Sequence, residues 1–254
     1  MLRIVISFLT MFFILISSGC SKKSALIEGD NISKADLLFE RGKAYFNEEK
    51  WSKSVSSFTE YAYSYPYHEA IAEGTFLLAE SYYNDGQFDL ASMEYRRVSQ
   101  RFEESEYAER AEIMIGEAFL ASSPRTDLNQ DKTRAALEYF KDFIIFHPSS
   151  EYLEQAQDGI QRCREKLAKK EYDIAITYFK LKKWETVILY ADLIEEEYNG
   201  TSLIPKTLLL KAKVYLELPG EEAKGISILT DLATYDGDTE IAQKASKLLR
   251  KTDN

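Results

Sequence analysis

The sequence predicts an all-α protein that forms a right-handed superhelical solenoid of about five helix pairs. A set of aromatic and lysine residues recurs after 133 positions: Tyr45-Phe46, Lys50-Trp51 and Tyr65 return as Tyr178-Phe179, Lys183-Trp184 and Tyr198. No run of any length alternates with the two-residue period of a strand. All five prolines fall at expected helix ends or in loops, where a missing N–H is tolerated: Pro66, Pro124, Pro148, Pro205 and Pro219.

The first two repeat units carry the residue order of the tetratricopeptide helix pair, in which small, aromatic and large apolar residues recur at fixed positions. With Gly42 at repeat position 8, Tyr45 stands at position 11, Phe58 at position 24 and Pro66 at position 32. The second unit begins near Ala72 and has matching residue types at Ala79, Tyr82, Ala91, Tyr95 and Val98. We assign four of these aromatics to the core: Tyr45, Phe58, Tyr82 and Tyr95.

The later units depart from this order. The third has Gly116 and then an insertion of eight residues before its second helix resumes at Ala136. The fourth is the copy that contains Trp184, and the fifth, around Ala212, is the most degraded. Degradation is expected of a terminal repeat, because it has no neighbour on one side.

Residues 122–134 form the one long irregular stretch inside the repeat region. Loops of this length are often functional. A solvated insertion without a function explains the same composition, and the sequence leaves both interpretations open.

A long helix is predicted after the third unit. Residues 150–182 contain no proline and a single glycine, Gly159, so this segment runs either as one helix or as two abutting helices. Thirty helical residues would span about 45 Å. Such an element could connect the N-terminal repeats, residues 35–148, rigidly to the C-terminal repeats in residues 149–254.

The N-terminus is predicted to be a lipoprotein signal peptide. Arg3 precedes an apolar run over residues 4–16, and Ser17-Ser18-Gly19 stand directly before Cys20. Small residues before a single cysteine resemble a bacterial lipobox, although Ser17 stands where leucine is usual. This resemblance implies that residues 1–19 are removed and that Cys20 is the lipid attachment site. An ordinary signal peptide cut near Gly19, or an uncleaved anchor, is the alternative.

A polar tether is predicted between this cysteine and the solenoid. Residues 21–33 lack helical periodicity and include Lys22, Lys23 and Gly29. A flexible chain of this length places its ends about 20 Å apart. The domain order is therefore signal peptide 1–19, lipidated cysteine and tether 20–33, and solenoid 34–254.

Charge and cysteine content exclude several function classes. The formal net charge of −10 argues against nucleic acid as a partner, because phosphate backbones repel an acidic surface. If Cys20 is acylated, Cys163 has no partner for an intramolecular disulfide. Cys163 lies between Arg162 and Arg164, which could activate a thiolate. We favour a small, half-buried helix residue instead, since neither histidine is near it in sequence.

No catalytic or metal-binding motif is present in the sequence. The two histidines, His68 and His147, lie next to predicted turns, and there is no paired-cysteine site, phosphate loop or nucleophile elbow. Abundant carboxylates occur in runs typical of solvated helix ends. We therefore expect a protein that is not an enzyme and that uses no cofactor or metal ion.

The remaining candidate function is recognition of an extended peptide by the inner face of the solenoid. In tetratricopeptide arrays, positions 2, 5, 9, 12 and 13 of each first helix line this face. Aromatic residues there supply contact area, and asparagines can bond both groups of a peptide backbone. The candidate groove residues are Phe39, Phe46, Asn47, Phe76, Tyr83 and Asn84. Packing between repeats is the alternative for each aromatic.

The lipobox, the tether and five repeats with an interrupted third occur together with a specific stretch from Thr133 to Thr201. That stretch includes Thr133-Arg134-Ala135-Ala136, Pro148-Ser149-Ser150-Glu151-Tyr152, Leu167-Ala168 and Glu171-Tyr172. In this combination, the chain resembles the BamD family of β-barrel assembly lipoproteins. His147 stands where the family has a tyrosine, and Tyr198-Asn199-Gly200-Thr201 replaces a second Tyr-Pro turn.

This resemblance implies a scaffold that is anchored by lipid to the outer membrane and faces the periplasm. Its C-terminal repeats would dock on the last POTRA domain of the barrel protein BamA, beside other Bam lipoproteins. Its N-terminal repeats would receive the C-terminal signal of unfolded outer-membrane β-barrel clients. A lipoprotein adaptor for another envelope process, such as peptidoglycan synthesis, and a lipid-anchored enzyme subunit are the competing hypotheses.

Overall fold

The computed structural model describes residues 33–252, so the signal peptide, Cys20 and most of the tether lie outside the described residues. This part contains eleven α-helices and no strand. The helices are α1 Lys34–Asn47, α2 Trp51–Ser64, α3 Ile71–Asn84, α4 Phe88–Arg101, α5 Ala108–Ala121, α6 Asp131–Phe146, α7 Leu153–Lys180, α8 Trp184–Glu197, α9 Ile204–Glu217, α10 Glu222–Ala233 and α11 Thr239–Thr252.

The helices form five consecutive pairs, and each helix packs against the next one in the chain. The first helices of neighbouring pairs also touch, as α1 touches α3 and α5 touches α7. This arrangement confirms the predicted all-α solenoid of tetratricopeptide type. The final helix, α11, was not predicted as a separate element. It covers the last pair by burying Ile241 and Ala245 against α9 and α10.

The long helix is a single element. Helix α7 runs for 28 residues from Leu153 to Lys180 without a break, which corresponds to about 42 Å. Its first half packs on α5 and α6, and its second half packs on α8 and α9. The same rigid helix therefore belongs to both halves of the solenoid. Cys163 lies in its first half and is fully buried, whereas the sequence analysis favoured a half-buried position.

Helix spacing is set by aromatic rings that fit against glycines. The ring of Phe58 on α2 faces Gly42 on α1, and a Cβ atom added at Gly42 would lie 2.8 Å from that ring. Phe140 on α6 is held between two glycines. A Cβ atom would lie 2.8 Å from its ring at Gly116 on α5 and 2.5 Å from it at Gly159 on α7. Carbon atoms cannot approach this closely, so these positions accept only glycine without a shift of the ring.

The turn inside a helix pair has the same backbone in three repeats. In each turn, one residue has a positive φ, and it lies three positions after the last aromatic of the first helix. These residues are Glu49 (54°), Gly86 (76°) and Lys182 (56°). In each turn, the N–H of this residue donates to the carbonyl of that aromatic, at 2.9 to 3.0 Å. Only Gly86 adopts this conformation without the steric penalty that a Cβ atom brings.

The irregular stretch of the third repeat is fixed to the long helix. It spans residues 122–130, since α6 already begins at Asp131. Gln130 is fully buried, and its Nε2 donates to the carbonyl of Arg125 at 2.7 Å. From α7, Lys166 donates to the carbonyl of Ser123 at 3.0 Å and Lys170 to that of Leu128 at 2.7 Å. Hydrogen bonds therefore tie the loop to α7, while Arg125 and Leu128 remain exposed to solvent.

Replacing Gly159 by alanine tests the glycine fit. In an exposed helix, this change stabilises the fold by about 1 kcal/mol through helix propensity. Here the added Cβ would collide with Phe140, and overpacking of this kind costs about 1 to 3 kcal/mol. We therefore expect Gly159→Ala to lower the free energy of unfolding, measured by urea denaturation.

The matched control shortens the opposing side chain. In the Phe140→Leu background, the clash is absent, so Gly159→Ala should destabilise less than it does in the unaltered chain. A Gly159→Ala variant that is more stable than the parent would contradict this packing arrangement.

Candidate peptide-binding surface

Two of the six candidate groove residues lie in the core. Phe39 is 7% exposed and packs on Phe58 and Tyr61, with the ring centroids 6.1 and 5.4 Å apart. Phe76 is 2% exposed and packs on Tyr95 and Tyr107. The prediction that Phe39 and Phe76 line an open groove is therefore wrong, and their packing between repeats is the physical reason.

Cations cover what remains exposed of these two rings. The Lys43 ammonium lies 5.0 Å from the centroid of Phe39, and the Arg110 guanidinium lies 4.9 Å from that of Phe76. Cations at this distance are attracted by the negative face of an aromatic ring. A peptide that approached the first helices here would meet charged groups before it met Phe39 or Phe76.

These cations belong to a row of ion pairs that joins successive first helices. We call this the ion-pair row, and it consists of Lys43–Glu73 at 3.0 Å, Glu80–Arg110 at 3.9 Å and Glu117–Arg162 at 2.6 Å. It links α1 to α3, α3 to α5 and α5 to α7. Sequence reasoning missed this row. For its first two pairs, the signal in the sequence was opposite charge at position 9 of one repeat, as in Lys43, and at position 2 of the next, as in Glu73.

The third pair of the row is the most enclosed. The Glu117 residue is 9% exposed, and both of its carboxylate oxygens accept hydrogen bonds from Arg162, at 2.6 and 3.2 Å. Two parallel bonds fix the geometry of such a pair more strongly than one. Arg162 also bonds Asp158 on its own helix at 2.6 Å. The start of α7 is thereby held in a defined position relative to α5.

In three helix pairs, the aromatic at position 12 of the first helix packs on the first residue of its partner helix. The ring centroids lie 5.3 Å apart for Phe46 and Trp51, 5.2 Å for Tyr83 and Phe88, and 5.4 Å for Phe179 and Trp184. These are edge-to-face or tilted contacts of the kind that stabilises aromatic pairs. Phe46 and Tyr83 are therefore parts of a turn, and each remains half-buried with one side open.

The electrostatic surroundings of Tyr83 keep its hydroxyl protonated. Burial raises the pKa of the Tyr83 phenol, and the Glu117 carboxylate acts in the same direction. A tyrosine is already protonated at neutral pH, so this shift only moves its ionisation to higher pH.

The two asparagines lie at the exposed ends of α1 and α3. Asn84 donates its amide to the carbonyl of Glu80 on its own helix at 2.8 Å, whereas Asn47 is exposed at the end of α1. Their role in binding a peptide backbone stays a prediction. The structure thus keeps four of the six candidates at the surface, namely Phe46, Asn47, Tyr83 and Asn84.

The histidines, which could act in catalysis or bind a metal ion, are held by hydrogen bonds to other side chains. His68 bonds the Tyr61 hydroxyl at 2.8 Å and Asp36 at 3.1 Å, and His147 bonds Glu112 at 2.9 Å. Burial raises the pKa of the Cys163 thiol to about 12, so the thiolate is disfavoured at neutral pH. Within residues 33–252, no cluster of histidine, cysteine or acidic residues is arranged to hold a metal ion. No helix in the same range is long and apolar enough to cross a bilayer.

This chain is similar to a described protein family, to a named relative and to a solved structure. Residues 32–227 match the family described as YfiO, outer membrane lipoprotein. A protein of Caulobacter vibrioides named outer membrane protein assembly factor BamD is 24% identical over 208 residues, which cover 82% of this chain and 68% of that protein. A solved structure of yeast Sti1, titled as its TPR2AB-domain:pHSP90-complex, aligns with a TM-score of 0.38 at 12% identity, over 87% of this chain and 98% of that one.

The family match begins two residues before α1 and extends into α10, so it includes the ion-pair row and all three aromatic turns. It covers well over half of the sequence. The chain therefore belongs to the YfiO family of outer membrane lipoproteins.

Proposed function

We propose that the chain is a non-enzymatic scaffold that assists the assembly of β-barrel proteins into the outer membrane. The family match over residues 32–227 is the observation that carries this proposal. A relative that aligns with most of the chain is itself named an outer membrane protein assembly factor. A rigid helical solenoid suits a scaffold, because a scaffold holds several polypeptides in a fixed arrangement.

The client binds along the ends of α1 and α3 in this proposal. Phe46 and Tyr83 offer half-exposed aromatic surface there, and Asn47 and Asn84 offer amide groups beside them. An extended peptide needs both kinds of contact, apolar for its side chains and polar for its main chain. Phe39 and Phe76 take no part, because both are buried.

The ion-pair row supports this proposal by keeping the surface preformed. Because it joins α1, α3, α5 and α7, the four helices need no rearrangement to present their ends. A surface that is ordered before binding loses less conformational entropy when a flexible client arrives. The row also supplies charged groups that disfavour purely apolar aggregation on the same face.

The C-terminal repeats dock on the POTRA-containing barrel protein BamA in this proposal, and other lipoproteins of the complex bind nearby. Helix α11 buries Ile241 and Ala245, and its last turn carries Arg250 and Lys251. Lipid attachment at Cys20 would hold the scaffold at the outer membrane, on its periplasmic side. The long helix α7 would then couple client and barrel protein through one rigid element.

Copurification tests the assignment to β-barrel assembly. With an affinity tag after Asn254, we expect a POTRA-containing barrel protein to be recovered from detergent-solubilised outer membranes. Recovery of cell-wall synthases without a barrel protein would instead favour the envelope adaptor.

A substitution of the proposed acyl acceptor tests the lipid anchor. Cys20→Ser should shift the chain from the membrane fraction to the soluble periplasm.

A photo-crosslinking residue at Tyr83 tests the client contact. We expect it to capture newly exported β-barrel proteins in cells, because Tyr83 lies at the proposed surface. The control position is Leu189 on α8, which is 66% exposed and belongs to the other half of the solenoid. Capture at Leu189 without capture at Tyr83 would rule out the proposed surface.

A further inference from the structure

The turn between α8 and α9 is fastened to the long helix α7 by hydrogen bonds that we call the turn clamp. Two of them end on carbonyls of the turn, and two come from a serine of the turn. They are Arg164 to the carbonyl of Asn199 at 2.7 Å, Gln161 to the carbonyl of Gly200 at 3.2 Å, and the N–H and hydroxyl of Ser202 to Glu165 at 2.7 and 2.8 Å. The clamp adds polar contacts to the packing of α7 on α8 and α9.

The clamped turn contains the only Asn-Gly pair in the sequence, Asn199-Gly200. Glycine has no Cβ atom, so it leaves its own main-chain nitrogen open to attack and to approach by the preceding side chain. Both residues are exposed, and a Cβ atom added at Gly200 would meet nothing within 4 Å. Solvent can therefore reach the peptide group that joins Asn199 to Gly200.

The reacting groups of this pair are not held by other bonds. Among residues 33–252, neither the side-chain amide of Asn199 nor the N–H of Gly200 takes part in a hydrogen bond. By contrast, the side chain of Asn84 bonds its own helix at 2.8 Å, and that of Asn129 bonds the backbone at the start of α6 at 2.7 Å. The Asn199 side chain can therefore rotate until its amide carbon faces the nitrogen of Gly200.

Arg164 acts on the same peptide group. The carbonyl of Asn199 and the N–H of Gly200 belong to one delocalised amide. When this N–H loses its proton, negative charge spreads to the carbonyl oxygen, which lies 2.7 Å from a guanidinium nitrogen of Arg164. A guanidinium is always charged in proteins. A fixed cation beside the atom on which negative charge develops lowers the free energy of that anion.

We propose that Asn199 is a site of spontaneous deamidation and that Arg164 promotes it. Solvent base removes the proton from the Gly200 nitrogen, which then bonds to the side-chain carbonyl carbon of Asn199. The bond from this carbon to the side-chain nitrogen breaks, and that nitrogen takes up a proton and leaves as ammonia. Water opens the resulting succinimide ring and leaves aspartate or isoaspartate at position 199. The reaction does not depend on what the solenoid binds.

This modification weakens the turn clamp. Isoaspartate carries the main chain through the former side chain and lengthens it by one carbon, which displaces the carbonyls that Arg164 and Gln161 bind. Since neither product returns to asparagine, the modified fraction grows with the age of the molecule. We expect faster hydrogen–deuterium exchange around residues 200–204 in the isoaspartate form than in the fresh chain, and equal exchange would overturn this consequence.

Peptide mass spectrometry of the purified lipoprotein, aged in mildly alkaline buffer, tests the site. We expect the change in mass from amide to acid to appear faster at Asn199 than at Asn47, Asn84 and Asn129. Asn199→Gln is the control for the assignment, because its longer side chain would have to close a larger ring. The peptide that contains this substitution should keep its mass over the same period.

Three further variants test the part of Arg164. Arg164→Met removes the cation and should slow deamidation about three- to tenfold, because a charge-assisted hydrogen bond is lost. Arg164→Lys keeps the charge and should stay close to the parent rate. Lys169→Met removes another cation of α7, one that pairs with Asp173, and should leave the rate unchanged. In urea, where the clamp is absent, Arg164→Met should have no effect.

A purely structural role of Arg164 gives the opposite result. If Arg164 only immobilised the turn, Arg164→Met would speed deamidation, because the turn would become more mobile. An equal or faster rate in Arg164→Met therefore overturns the inference, as does equal slowing by Lys169→Met. An Asn199 that stays intact in the folded chain but deamidates in urea also overturns it.

Discussion

The fit of aromatic rings against glycines is the constraint on which the rest of the structure depends. Phe140 is fully buried between Gly116 and Gly159, with no room for a Cβ atom at either glycine. Because the ring touches both helices, it fixes the distance of α6 from α5 and from α7 at once. In the first repeat, Phe58 packs in the same way against Gly42 and limits how α1 and α2 can approach. Closely packed interiors transmit such constraints, since they cannot deform continuously.

The spacing of the helices in turn determines which ion pairs form and which aromatic rings stay exposed at the surface. The ion-pair row forms only because the first helices stand close enough for Lys43 to reach Glu73 and for Arg162 to reach Glu117. The rings of Phe39 and Phe76 are then enclosed by cations and by neighbouring aromatics. At the edge of the solenoid, Phe46 and Tyr83 pack in their turns and stay half-buried, so part of each ring remains accessible.

The sequence predicted the features that follow from local pattern. The helix pairs were predicted from repeat spacing. The absence of proline between residues 150 and 182 predicted one helix or two abutting helices, and the structure has one. A structural role for Cys163 was favoured because neither histidine is near it in sequence, and the residue is buried. Phe39 and Phe76 were misplaced because burial depends on the adjacent repeat, which spacing alone does not reveal. The pairs Lys43–Glu73 and Glu117–Arg162 join residues 30 and 45 positions apart, so only a comparison of charges between neighbouring repeats could have revealed them.

The most direct test of the central claim is hydrogen–deuterium exchange with and without an unfolded β-barrel client. If the edge of the first two repeats binds the client, amide exchange should slow around residues 45–51 and 82–90. Exchange in α9 to α11 should stay unchanged, because we propose that this part contacts the barrel protein instead. Protection confined to α9 to α11, with none in the first two repeats, would contradict the account.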